Sequence, residues 1–475
     1  MQDCCNMKKT LLFIFLLSCF TINAQDKLPI IKLTGDFGYD YQDGIVSIIY
    51  PDGSSQDSLT ARIKWRGGST NAEDRHKRNY KIKFNKDYSL FGLRKDNNWI
   101  LDAGQADVFR LRNRIATELW NDFATKPYYS DKEPEALSGV RGKVVEVYLN
   151  DEYRGIYCFT ENMDRKQMKL KKFDKDGQIR GVLWKSKDYG CSLMYNVPNT
   201  YDNKQPMMDV FEAKYPDLND LDSTDYSTLW DAIDFVANSS NAEFKDHVYE
   251  YFDIPVIIDY YLFVTLLNAL DNRGKNMYWA VYDQTKNKKI TPAVWDLDIS
   301  MGARSVEQYD RFYSSSKYNA GDVLYLITRL KELNVDHFKE KTITRYAELR
   351  KTVFSEDSLQ KRYQHYYDLL VKSGAAERET LKWSEDTDIY GDVIDFNSEI
   401  EYIKNWISHR IKFLDKNYFY YQSSILNIPI EQNDNEVSIY NLQGQKMPKN
   451  QKLPKGIYIY KKNSSTTVKH VGGSW

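Results

Sequence analysis

Cysteine is scarce in the body of this 475-residue chain. Of five cysteines, Cys4, Cys5 and Cys19 sit near the N-terminus, leaving Cys158 and Cys191 for the rest. Neither stands at metal-ligand spacing, so a structural zinc site has no ligand set. One disulfide between them is permitted in an exported protein, and sequence leaves open whether they meet. Net charge is also missing: 66 basic residues face 67 acidic ones. No global field therefore draws nucleic acid or an anionic membrane surface. A G-x-S-x-G nucleophile elbow is absent, and the six histidines are scattered, none beside a Ser or Cys motif. Long apolar runs are lacking too. The N-terminal one, Leu11 to Phe20, is about half what a membrane-spanning helix needs.

That short run follows Lys8 and Lys9 and precedes Ile22-Asn23-Ala24, the pattern of a signal peptide over residues 1–24 cleaved before Gln25. Leu16-Leu17-Ser18-Cys19 offers the alternative of a lipoprotein signal. Either way the expectation is a secreted or cell-surface protein, exported through the inner membrane, without a transmembrane span. Tyrosine, at 37 residues, is abundant. Half-buried strands of a β-rich secreted protein account for that; aromatic platforms for sugars or peptides are the sharper alternative.

Two-residue alternation predicts strands in IVSIIY, TARIKW and YKIKF, with the turn-former PDGSS between the first two. Leu111 to Phe123 repeats apolar residues every four and reads as a helix. Strands return in VVEVYLN and YRGIYCF, joined at Asp151-Glu152. Ile254 to Leu270, with Pro255 in its first turn, is apolar on nearly every side, as in a buried helix. The polar loop DNRGKN then leads into a hairpin, MYWAVYD and KKITPAVW. From about residue 320 to 417 the pattern is helical and ends on a stripe of Ile400, Ile403, Ile407, Ile411 and Leu414. Strands followed by helices make an α+β fold.

Phosphoryl transfer needs a carboxylate for the attacking hydroxyl, oxygen ligands for a metal on the phosphates, and a cation for the nucleotide. Protein kinases supply the first two from an Asp and an Asn five positions on, after a buried helix, and a further Asp after a hairpin. Asp271 and Asn276 have that separation and follow the apolar helix, while Asp296 follows the hairpin. No His-Arg precedes Asp271, and the later segment reads WDLD rather than DFG. The plainer alternative for each acid is a turn cap. Arg66-Gly67-Gly68-Ser69-Thr70 lies between two strands, either as a loop whose N–H groups cradle phosphates or as an ordinary hairpin. Lys81 and Lys83 share a face of the next strand and either could reach phosphates, with Lys77 a third candidate.

The ordered stretches ARIKWRGGST, KRNYKIKF, LRNRIATEL, VYLNDEYRGIYCFTEN, DNRGKNMYWAVYD and PAVWDLDISMG run from Ala61 to Gly302. They resemble the motifs of the spore-coat-protein-H (CotH) kinase family, and Trp406 and Arg410 extend the likeness to about residue 415. The resemblance implies an atypical protein-kinase-like, two-lobed domain over 25–417, with a β-rich N-lobe and a helical C-lobe. It implies ATP, Mg²⁺ or Mn²⁺, and phosphorylation of Ser and Thr hydroxyls of exported proteins. Asp271 is then the catalytic base, and Asn276 and Asp296 are metal ligands. Asp298 is a second ligand or an orienting partner. Arg66, Gly67 and Ser69 form the phosphate loop, with Lys83 favoured over Lys81. Glu161 is a nucleotide-cleft acid or merely a helix-start acid, and Arg112 and Asn113 lock their helix structurally. Gly68 departs from the family, which usually shows Asn after Arg-Gly. A catalytically silent CotH-like surface adhesin is the alternative function, and a polysaccharide-acting enzyme with two carboxylates is a third.

Residues 423–475 change character, with seven lysines against three acids. SIYNLQGQKM and LPKGIYIY resemble the C-terminal sorting domain of type IX secretion, which would make that machinery a partner. A plain accessory β-sandwich is the alternative.

Overall fold

The alternating strands of the N-terminal part close into a barrel. The computed structural model describes residues 27–68, 70, 75–191, 193–303, 324–385, 387, 391–421, 438–441, 446–447, 456–462 and 465–471. The proposed signal peptide and Ser69 lie outside them. Five strands run in sequence: β1 (Ile30–Thr34), β2 (Gln42–Ile49), β3 (Ser55–Arg66), β4 (Asn79–Tyr88) and β5 (Asp96–Asp102). Helix α1 (Arg112–Phe123) follows, then β6 (Gly142–Leu149) and β7 (Glu152–Thr160). The strand order is β1-β2-β3-β4-β5-β7-β6, and parallel pairing of β1 with β6 completes the ring. Closure leaves no unpaired edge. Ile31, Val46, Ile63, Ile82, Trp99 and Val145 fill the interior from alternate positions. The β6–β7 hairpin turns on Asn150 and Asp151, both left-handed (φ 51° and 64°), as a two-residue primed turn requires. The turn thus lies one residue before the Asp151-Glu152 expected from sequence, and Glu152 pairs with Leu149 instead.

A second, antiparallel sheet has the order β12-β11-β8-β10-β9. It contains β8 (Val182–Ser186), β9 (Met207–Met208), β10 (Phe211–Tyr215), β11 (Met277–Val281) and β12 (Thr291–Val294). Helices α2 (Ser227–Asn238), α3 (Asn241–Tyr251) and α4 (Ile254–Leu267) lie between β10 and β11 in sequence. Every residue of α4 except Pro255 is buried. Each fully buried Ile, Leu, Val or Phe contributes roughly 1.5–3 kcal/mol, so α4 is a rigid support for the loop it feeds.

Then come α5 (Tyr325–Glu332), α6 (Phe338–Arg350), α7 (Glu356–Lys372), α8 (Ala375–Lys382) and α9 (Phe396–Asn417). The α9 stripe from Ile400 to Leu414 is buried as expected. Arg112 lies fully buried between Asp107 and Glu399, both at 2.5 Å, tying α1 to α9. Arg410 donates to the Thr265 carbonyl and ties α9 to α4. A β-rich N-terminal part and a helical C-terminal part are therefore present. Beyond them, β13 (Ser438–Asn441), β14 (Gly456–Lys462) and β15 (Ser465–Val471) form a three-stranded antiparallel sheet. The rest of the sandwich read from sequence lies outside the described residues. Cys158 is a free, buried thiol, and the Cys191 side chain lies outside the described residues.

Candidate active site

The first loop of the site is set by how α4 ends. Asn268 adopts the left-handed conformation (φ 49°), a common helix stop, and a single 3₁₀ turn over Leu270–Asn272 then presents Asp271. Asn272 is buried and donates to the carbonyls of Asn276 at 3.0 Å and Trp295 at 2.8 Å. Its own carbonyl accepts from the Tyr260 hydroxyl of α4 at 2.8 Å. The side chain of Asn272 therefore stitches the Asp271 loop to the segment that follows β12. On Asp271, Oδ1 accepts from Lys275 Nζ at 3.0 Å and from the Tyr189 hydroxyl, while Oδ2 accepts from Asn276 Nδ2 at 2.5 Å.

The second loop begins where β12 stops. Asp296 is left-handed (φ 59°), turning the chain so that Asp296 and Asp298 both border one cleft. The Leu297 N–H donates to Asn113 Oδ1 at 3.1 Å, and Asn113 Nδ2 donates to Asp102 Oδ2 at 2.7 Å. The Met301 N–H donates to the Leu267 carbonyl at 2.8 Å. The end of β5, the start of α1 and the end of α4 thus hold this turn from three sides.

Asp102, Asp271, Asp296 and Asp298 are near enough to act on one another's charge, and three of them, Asp102, Asp296 and Asp298, border the cleft. Burial raises Asp296 above the usual carboxylate range, with Asp102 and Asp271 adding to the rise while Lys185 and Arg66 oppose it. Asp298 is raised further, by burial first and then by Asp296, Asp102, Asp271 and Asp107. The same cleft carries a basic wall, Arg66 and Lys185. Arg66 lies 5.5 Å and Lys185 6.0 Å from the centre of the Trp295 ring. Burial pushes the Lys185 ammonium down, and Asp296 partly restores it. Arg66, Gly67, Gly68, Thr70 and Asn79 border the same cleft.

The family model for CotH kinase proteins matches residues 63–414, most of the chain and all of this site. The chain belongs to the CotH kinase family. No curated protein matches it.

Set against that geometry, the residues singled out from sequence separate into two groups. Asp296 and Asp298 border one cleft with Arg66 and Gly67, which is left-handed (φ 107°), while Asp271 and Asn276 bond to each other in the loop that Asn272 ties to Trp295. A Cβ on Gly67 would lie 2.3 Å from Thr70 Oγ1, so this CotH loop needs its first glycine. A Cβ on Gly68 would meet nothing within 4 Å, so the asparagine usual in the family has room there. Lys81 is half-buried and pushed down to about 8 by burial and then by Arg66, Lys214, Lys64 and Lys83, which sets it beside the basic wall.

Lys83, favoured from the family pattern, is exposed and lines a separate shallow groove with Asp43, Thr60, Arg62, Asn85 and Asn97. Lys77 is committed elsewhere, donating to Glu379 at 2.7 Å and to the Ile156 carbonyl at 2.6 Å. Glu161 is also spent structurally. Its carboxylate is fully buried and accepts from Arg141 Nη2 at 2.8 Å and from the N–H groups of Arg94 and Arg141, both at 3.0 Å. Although burial pushes it up, those hydrogen bonds hold it below its ordinary range. Three contributors escaped the sequence reading: Lys185, Asp102 and the polar, cleft-facing role of Asn113. Only the alternation of VLWKS hinted at Lys185, by placing it opposite Trp184 on the strand.

Proposed function

We propose that this CotH-family chain is a metal-dependent protein kinase that transfers the γ-phosphate of ATP to Ser and Thr hydroxyls of exported proteins. The observation that supports it is the stitching by Asn272 and Asn113, which ties the loop carrying Asp271 to the turn carrying Asp296 and Asp298 and ties that turn to α1. Among the described residues no three His, Cys, Asp or Glu side chains form a cation cage by themselves. The fit is of another kind: Asp296 and Asp298, made costly by burial and by neighbouring carboxylates, would offer hard oxygen donors at the cleft, with Asn276 a third candidate. Magnesium and manganese suit such a set, zinc does not. When bound, the ion neutralises charge on the phosphate oxygens.

The chain's own residues do the rest. Asp271, held by Lys275 and Asn276, orients the acceptor hydroxyl and takes its proton. Arg66 and Lys185 hold phosphate from the basic wall, and the N–H groups around Gly67 approach it closely. A purely adhesive CotH-like surface would gain nothing from holding Asp296 and Asp298 in one cleft, where burial and neighbouring carboxylates make their charge costly. The leader over residues 1–24 and the basic module over 423–475 support export, the latter as an address read by type IX secretion. No described helix is long and apolar enough to cross a membrane.

Mg-ATP should raise the melting temperature of the purified protein, because a ligand of the native state stabilises it in proportion to ln(1 + [L]/Kd). Asp296→Ala should abolish the shift while leaving the ligand-free melting temperature near or above wild type, since it removes a strained carboxylate. Equal Mg-ATP shifts in both proteins would overturn the assignment.

A further inference from the structure

Tyr189 lies in a single 3₁₀ turn, Tyr189–Cys191, just beyond β8, and is exposed at 38%. Its hydroxyl donates to Asp271 Oδ1. Its ring lies 5.0 Å from the Lys275 ammonium and 5.6 Å from the Arg273 guanidinium. An ionised carboxylate has about four lone-pair sites, and three donors already occupy Asp271. Two of these, Lys275 and Asn276, belong to the same loop as Asp271. Tyr189 comes from another element and brings a neutral hydroxyl to the atom that would take a proton from an acceptor.

We propose that the Tyr189 phenol sits in the acceptor position of the active site, so that the kinase accepts tyrosine hydroxyls and phosphorylates its own Tyr189 first. This rests on the kinase reading above. The two cations on the ring make the position suited to an aromatic acceptor, because a cation over a phenol face is attractive. In the transfer, the Tyr189 oxygen bonds to the γ-phosphorus of a nucleoside triphosphate as the bond to the β–γ bridging oxygen breaks. The phenolic proton passes to Asp271, and the nucleoside diphosphate leaves with the bonding pair. The product carries about −1.5 to −2 charge beside the Asp271 carboxylate. Like-charge repulsion then drives it off Asp271 and vacates the position for an exported protein.

The test incubates the full purified chain with Mg²⁺ and radiolabelled ATP, alone and with dephosphorylated casein as added acceptor, and maps phosphosites by mass spectrometry. Wild type is expected to carry phosphate on Tyr189, formed at a rate constant independent of protein concentration. Tyr189→Phe should lose that site and label casein faster than unprimed wild type, since nothing competes for Asp271. Asp296→Ala should lose all labelling. Phosphate found on other residues or on casein while Tyr189 stays unmodified overturns this inference and leaves the kinase reading standing. Slower casein labelling by Tyr189→Phe also overturns it, because Tyr189 would then be supporting Asp271 rather than occupying the acceptor position. No nucleotide-dependent labelling of any kind overturns both.

Discussion

Replacing Glu379 with glutamine removes one negative charge from a place where nothing exposed can compensate. Glu379 Oε1 accepts from Lys77 Nζ at 2.7 Å and from Arg110 Nε at 2.8 Å, and Oε2 accepts from the Ile156 N–H at 2.7 Å. The Lys77 and Glu379 side chains are 0% exposed. These bonds join α8 to β7, to the segment before β4 and to the loop before α1. Glutamine fits the space, yet one of its two ends becomes an NH₂ donor. That end must face either two cations or the Ile156 N–H, donor against donor. Breaking a buried ion pair by removing one partner costs about 3–5 kcal/mol, and that is the expected loss here.

The deficit should depend on pH. Burial, outweighing the pull of Glu379, pushes the Lys77 ammonium down to about 7, so the folded protein binds fewer protons than the unfolded chain from there up to the normal lysine range. Stability from this group therefore rises as pH increases above 7. In the variant Lys77 loses the pull of Glu379 and falls further. The deficit is largest well below pH 7, where wild type keeps the charged pair, narrows as pH rises toward 7, and is constant above it, where Lys77 is neutral in both folded proteins. Urea unfolding followed by tryptophan fluorescence at about pH 6 and about pH 9 measures both effects. A loss under about 1 kcal/mol, or a gap that widens with pH, would refute the reasoning.

Asp253, buried ahead of α4, is pushed up to about 6 by burial despite accepting from the Tyr128 N–H at 2.8 Å. Its contribution to stability is complete below pH 4 and lost as pH rises through 6, a change on the order of 3 kcal/mol. Asp253→Asn should flatten that part of the melting-temperature profile between pH 4 and 7, and a profile parallel to wild type would contradict it. Deleting Ser423 to Trp475 should leave phosphate transfer intact, because the family match ends at residue 414 and the cleft lies before it. The truncated protein should accumulate in the periplasm, and normal surface delivery would sink the secretion reading.

The parts of this architecture legible in sequence are those encoded locally. An all-apolar run could only be a buried helix, and α4 is one. The five-residue step from Asp271 to Asn276 is a hydrogen bond, and the hairpin before Asp296 is β11 and β12. Long-range pairing was illegible. Parallel closure of β1 on β6 joins Ile30 to Glu146, and no local pattern announces such a partner. That closure positions the end of β5, and with it Asp102 against Asn113 and the acidic turn. The partners of Glu161 could not be read locally, because the Arg141 side chain and the Arg94 N–H that it accepts from are 20 and 67 residues away. Lys81 and Lys83 do share a face, as alternation requires, but burial decreases along β4 toward its far end and separates their roles.

The central claim is that Asp271 is where the acceptor proton goes. Asp271→Asn keeps an oxygen acceptor for Asn276 and leaves Asp296, Asp298, Arg66 and Lys185 untouched, so Mg-ATP affinity by titration should stay within a few-fold of wild type. Phosphate incorporation by the same preparation should fall by a factor on the order of 10² to 10⁴, the usual size of a general-base contribution. Normal binding with lost transfer is the result the account predicts, and transfer at the wild-type rate would contradict it.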